Sequence, residues 1–279
     1  MWIFGKKKKK IEKSKEFENF MQKYLQEECE GEPFEIVGLL GFNIAGAGKS
    51  RNSDYYSQHF TCIARLDNDK VIEKEIRMVY FLDNTSPLQF LEVKDLTPYN
   101  FILKKIKDKD FYCLIELKGR SHTNLFDSLI EENSKKLFIQ DGDNVFEYNR
   151  RFNEYEGNVT IYNKNISVSL STKINTIDAS ESLDTFKKIK NDFENFYKTV
   201  LFRCAQKMTA LANGWREDGD THEITVEEFA ERIDSDKFDL SIINKRYTIY
   251  FEDDNMFWGH SIVYDGDIET DNYDATLAG

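Results

Sequence analysis

Proline is scarce in this 279-residue chain, with only Pro33, Pro87 and Pro98. No Pro-rich linker therefore sets one half apart from the other. Cysteine is as sparse: Cys29, Cys62, Cys113 and Cys204 lie far apart, with no Cys-x-x-Cys pair. Zinc needs clustered thiolates or imidazoles, so this spacing excludes such a site and leaves buried free thiols in a reducing compartment as the expectation. Long apolar runs are missing too. Met1-Trp2-Ile3-Phe4 is too short for the core of a secretory signal, and its lysines follow rather than precede it. Ile36 to Gly48 is too short and too rich in glycine to span a bilayer. A cytoplasmic location is expected.

Positive charge is absent from the C-terminal end. From Glu252 onward there are eight carboxylates and neither Lys nor Arg. The formal net charge of -12 hides an uneven spread, because seven lysines against Glu12 give the first 15 residues +6 and leave -18 for the rest. Such a body repels nucleic acid, which excludes general DNA or RNA binding. The basic tail and its apolar tip could touch an anionic membrane. Three apolar residues bury too little area to make a membrane surface the expected partner.

Hydrophobic residues make up 40% and charged residues 32% of the chain, a globular balance at a length that suits two domains. Phe17, Phe20, Met21, Tyr24 and Leu25 recur at helical spacing and predict an amphipathic helix over 12–28, ended by Gly31 and Pro33. Strand patterns follow at 35–44, 56–66, 71–82, 100–106 and 111–117, with hairpin turns at Asp67-Asn68-Asp69-Lys70 and at 107–110. Leu125, Phe126, Leu129 and Ile130 mark a polar helix-loop over 121–136. Further strands are read at 137–140, 145–149, 158–162 and 166–170, with turns at Asp141 to Asn144 and Asn163 to Asn165. The strongest pattern runs from Leu183 to Leu211. Its apolar residues alternate in steps of three and four, predicting one long helix over 181–212 with Asn213-Gly214 as its stop. Thr225-Val-Glu-Glu228 is a capping box for a short helix. A meander of strands at 238–243, 246–251 and 257–264 closes the pattern.

Several motifs invite a chemical reading. Gly46-Ala-Gly48-Lys49-Ser50 ends like a phosphate-binding loop, but Asn43 stands where its first glycine belongs and no helix pattern follows. Asp141-Gly-Asp-Asn144 lacks the glycine spacing of a calcium loop and reads as a hairpin turn. The stretch from Glu217 to Glu223 also lacks that spacing and reads as a solvated loop. His59, His122, His222 and His260 sit in four separate contexts, so spacing assembles no nucleophile–histidine set. Glu252-Asp-Asp254-Asn-Met-Phe-Trp258-Gly-His260 is the richest segment, since carboxylates beside a histidine can do acid–base work or hold a metal. If 253–256 form the turn, Phe251 pairs with Trp258 and Ile249 with His260. Trp258 and His260 then share an apolar strand face while the acids gather at the tip.

The region from Asn149 onward carries Arg150-Arg-Phe-Asn-Glu-Tyr-Glu-Gly157, Ile166-Ser-Val-Ser-Leu170, Ile224-Thr-Val-Glu-Glu-Phe-Ala-Glu231, Phe257-Trp-Gly-His-Ser-Ile262 and the ending Asp274-Ala-Thr-Leu-Ala-Gly279. In order and spacing these resemble the bacterial domain-of-unknown-function 2262 family. The family's turn is usually Asp-Asp-Gly-Asp, where this chain has Asp253-Asp-Asn-Met256. The resemblance implies a folded domain of bacterial origin and no particular activity. The N-terminal half, including Leu96-Thr-Pro-Tyr-Asn-Phe101, resembles a domain often placed upstream of it.

The expected fold is α+β, with a basic tail and helix over 1–29, a mainly β domain over 30–135 and an α+β domain over 136–279. Each domain carries an antiparallel sheet, and the long helix packs on the second. The expected function is non-enzymatic binding of a protein partner, immunity-like or regulatory, through a surface formed by Glu252, Asp253, Asp254, Trp258 and His260. Acidic and aromatic surface suits a basic partner; no cofactor or metal is expected. The alternative is a hydrolase or metal-dependent enzyme built on Asp253, Asp254 and His260, with Glu156.

Overall fold

The structure, a computed structural model, describes residues 14–42, 48–49, 55–83, 91–174, 176–216 and 222–279. It divides into two compact units, Met1–Lys135 and Lys136–Gly279. The N-terminal tail and most of the 217–223 loop lie outside the described residues.

The first unit runs α1 (Lys15–Glu27), β1 (Cys29–Leu40), β2 (Gly48–Lys49), β3 (Tyr56–Asp67), β4 (Lys70–Ile72), β5 (Ile76–Leu82), β6 (Pro98–Ile106), β7 (Tyr112–Arg120) and α2 (Asp127–Ser134). Strand β1 pairs with both β6 and β3, and the order β6-β7-β5-β3 connects them, so five strands close into a ring. Alternate residues point inward: Ile36, Leu40, Phe60, Cys62, Met78, Phe101 and Leu103 belong to one buried cluster. Gly38 lets β1 pass this interior, since a Cβ there would stand 2.9 Å from Cys62 Sγ. An all-antiparallel sheet was expected, yet β5 and β7 run parallel through Met78–Tyr112 and Val79–Cys113. Closure explains the difference: a ring with an odd number of strands cannot alternate direction all the way round.

Both helices of this unit lie on further apolar clusters. Ser14 opens α1, its Oγ accepting from the Phe17 N–H at 3.2 Å. The helix then packs Phe17 with Val79, Phe81 and Ile106. It ends at Glu27, and Gly31 and Pro33 fall inside β1, where pairing with β6 slips between Glu30 and Phe34. Phe126, beside α2, packs on Leu39 and Ala64. The Asp67–Lys70 turn has Asn68 and Asp69 at φ 48° and 61°, the left-handed pair that a two-residue hairpin needs. Gly48-Lys49 is strand rather than the mouth of a helix. The rest of the phosphate-loop-like stretch, 43–47 and Ser50, lies outside the described residues.

The second unit runs β8 (Phe138–Asp141), β9 (Asn144–Asn149), β10 (Glu154–Ile161), β11 (Lys164–Ser171), α3 (Ser180–Asn191), α4 (Phe193–Gly214), α5 (Val226–Ile233), β12 (Lys237–Ile243), β13 (Arg246–Phe251), β14 (Ser261–Asp267) and β15 (Tyr273–Ala278). Its strands lie side by side in sequence order, as two four-stranded meanders joined by the helices. That helical crossover makes the central β11–β12 pair parallel, again a departure from the expected antiparallel sheet. The helices share one core with the inward residues of the sheet, where Phe186, Phe193, Val200 and Met208 join Val168, Leu170, Leu240 and Ile249.

The single long helix is in fact two. Asp192, at φ -129° and ψ 39°, breaks it. Its carboxylate accepts from Asn195 Nδ2 at 2.7 Å, and its carbonyl accepts the Phe196 N–H that starts α4. Asn and Asp compete with the helix for such bonds, and Asn191-Asp192 supplies both. The capping box at Thr225 forms in full. Asp141 to Asn144 is a hairpin turn, with Asp141 paired to Lys190 rather than open to an ion. Strand β15 is an addition. Its burial alternates only between intermediate and exposed, as befits an edge, and so it carried little pattern. No helix among the described residues is long and apolar enough to cross a membrane.

Candidate functional site

The β13–β14 ladder ends at Phe251–Ile262, which leaves residues 252–260 as a loop. The expected pairings of Phe251 with Trp258 and of Ile249 with His260 do not occur; Ile249 faces Tyr264. Local chemistry explains the correction. Met256 and Phe257 turn back into the core, at 7% and 0% exposure, and pull the chain out of the ladder. Asp254, Asn255 and Trp258 adopt left-handed φ of 46°, 60° and 56°, with Gly259 at 88°. The three non-glycine residues carry a cost of up to about 1–2 kcal/mol each, which other contacts must offset.

Asp253 holds them. It is 8% exposed, and its carboxylate accepts three backbone N–H groups. These come from Asn255 at 3.2 Å, Phe257 at 2.8 Å and Gly259 at 2.9 Å. Burial pushes its carboxyl upward, but the Gly259, Phe257 and Asn255 amides outweigh that and hold it below the usual carboxylate value. Asp253 is thus the loop's internal brace. It does not present a surface to a partner, contrary to its expected place in the binding patch.

The other four residues take distinct places. Glu252 is exposed. Asp254 receives Arg232 of α5 twice, Nε on its carboxylate at 2.7 Å and Nη2 on its carbonyl at 2.8 Å. His260 turns Nδ1 onto the Phe257 carbonyl at 2.8 Å, which makes Nδ1 the protonated nitrogen. Trp258 stands at the loop's outer edge with 68% of its surface exposed.

Beneath them lies a residue the motif search did not single out. Trp215, just past α4, meets Trp258 at 5.2 Å, His260 at 5.4 Å and Phe257 at 5.8 Å between ring centroids. Leu211, one helical turn before it, is 42% exposed. The signal was there: Leu211 and Trp215 are four apart and continue the apolar face of the helix across Asn213-Gly214.

Asp253, Asp254 and His260 therefore do not converge. Asp253 accepts from backbone amides and Asp254 from Arg232, while His260 bonds the Phe257 carbonyl. Glu156 lies on β10, three strands from β13, accepting from Asn149 Nδ2 at 2.9 Å. Among the described residues no three His, Cys, Asp or Glu side chains gather as metal ligands. The acidic C-terminal segment is also less bare than its sequence. Glu269 pairs with Lys245, Asp271 with Arg203 and Asp274 with Lys207, while Asp265 accepts from Thr248. The cations come from α4 and from the turn between β12 and β13.

Residues 144–277 fit the family model described as "Uncharacterized protein conserved in bacteria (DUF2262)". The DUF2262 match takes in β9 through β15, all three helices of the second unit and the 252–260 loop. The barrel of the first unit lies outside it. A search of curated proteins finds no match.

Proposed function

We propose that the chain is a non-enzymatic, partner-binding protein, immunity-like or regulatory in the bacterial cytoplasm, and that the 252–260 loop is its docking point. One observation carries this reading: a bulky indole is held out to solvent by a loop whose shape is determined from within. Exposing Trp258 forgoes apolar burial that the nearby core could have supplied. Interface energy concentrates in such aromatic anchors, which contribute about 2 kcal/mol or more when a partner buries them. A braced loop also has little freedom to lose on binding. Glu252 places negative charge in the same loop as the indole, the Asp254 carboxylate being offset by Arg232, so the partner expected is a protein with a basic group beside an apolar pocket.

Comparing capture from the source bacterium by wild type and by Trp258→Ala tests the reading. A partner retained by wild type and lost from the variant supports it. A partner profile that the substitution leaves unchanged refutes it.

A further inference from the structure

The first unit holds a site of a different kind. Between α1 and the outer surface of the barrel lies a cavity of about 800 Å³, within the range of small-molecule sites. Its size follows from the strand that floors it. On β3, Ser57 and His59 face outward where the flanking β5 carries Val79 and Phe81. A hydroxyl and an imidazole do not fill the space under the helix as leucines would. The walls are aromatic. Tyr24 and Phe81 meet at 4.7 Å and Phe20 and Phe81 at 5.3 Å on one side, with Phe111 against His59 at 5.7 Å on the other.

The polar pair on the floor is organised. Ser57 is only 7% exposed, and its Oγ lies 3.3 Å from His59 Nε2. His59 keeps an exposed edge, and partial desolvation draws its imidazole toward the neutral form, which offers one donor and one acceptor nitrogen. Among the described residues, the charged ones lining the cavity are Lys23, Glu27, Glu28 and Lys109, two of each sign, a set that favours neither an anion nor a cation. Flat rings stack or meet edge to face with such walls, and a hydrogen-bonding edge finds partners at the floor.

We propose that this cavity binds a small, uncharged heteroaromatic molecule, its ring between Phe81 and Phe111 and its polar edge on Ser57 and His59. The inference is independent of the Trp258 loop, which belongs to the other unit.

Titration of the full chain with indole, benzimidazole and adenine as probes, read by calorimetry and by the His59 ring resonances, tests it. At least one probe should bind saturably below millimolar concentration and shift those resonances. His59→Leu and the milder Ser57→Ala should each weaken binding about three- to tenfold, the worth of one hydrogen bond. Trp258→Ala should leave it unchanged. Absence of saturable binding by all three probes, or binding that neither floor substitution alters, would overturn the proposal.

Discussion

Replacing Asp253 with alanine removes the brace of the 252–260 loop and leaves three backbone donors without their acceptor. The Phe257 N–H is buried, and those of Asn255 and Gly259 are partly buried. A buried donor stranded in this way costs about 1–3 kcal/mol, and a partly buried one regains some of that from water. The three left-handed non-glycine residues relax at the same time, which offsets part of that loss. The stranded donors leave about 2–4 kcal/mol for Asp253→Ala. Asp253→Asn keeps one oxygen and should cost about 1–2 kcal/mol, because neutral acceptors bind amides less strongly. Urea unfolding followed by tryptophan fluorescence is the assay, since Trp215 and Trp258 both lie in this unit and report its transition. The pH dependence has a definite sign. The folded carboxyl titrates below its unfolded value, so the unfolded state holds more protons in that window. The Asp253 contribution is complete above the unfolded value, near pH 4, and is lost as pH falls through the folded one. The gap between wild type and Asp253→Asn should therefore narrow in acid. A loss below about 1 kcal/mol for Asp253→Ala at neutral pH would show that the loop keeps its shape without the carboxylate.

The core offers two simpler tests. Phe193, stacked between Tyr162, Tyr197 and Phe238 and 2% exposed, should lose about 3–5 kcal/mol on truncation to alanine, measured by the same unfolding curves. A Cβ at Gly266 would collide with the Tyr247 ring and its hydroxyl. Gly266→Ala should therefore cost about 1–3 kcal/mol by displacing that ring, and an unchanged unfolding midpoint would contradict it.

Local features were readable in the sequence, and features set by distant contacts were not. The turn at Asn68-Asp69 and the capping box at Thr225 need only neighbouring residues, and both form as their types dictate. Barrel closure depends on β1 meeting β3 and β6 at once, which no periodicity records. The break at Asp192 escaped because Ile189 and Phe193 keep the apolar spacing across it; only the Asn191-Asp192 pair hinted at a stop. Around the candidate site the segment was legible but its shape was not. Strict alternation made Trp258 and His260 strand residues, whereas adjacent Met256 and Phe257 both go inward and the ladder yields. Asp253 looked like a surface acid because sequence cannot show that three amides converge on its carboxylate. Trp215 stands beyond the Asn213-Gly214 stop, where helical periodicity no longer marks it.

If Trp258 anchors a partner, a photo-crosslinking amino acid at position 258 captures it in the source organism, with Thr160 on the exposed side of β10 as the parallel control. One defined adduct with another protein is expected from position 258 and none from position 160. Equal labelling at both positions, or no adduct at 258 while the protein remains folded, would contradict it.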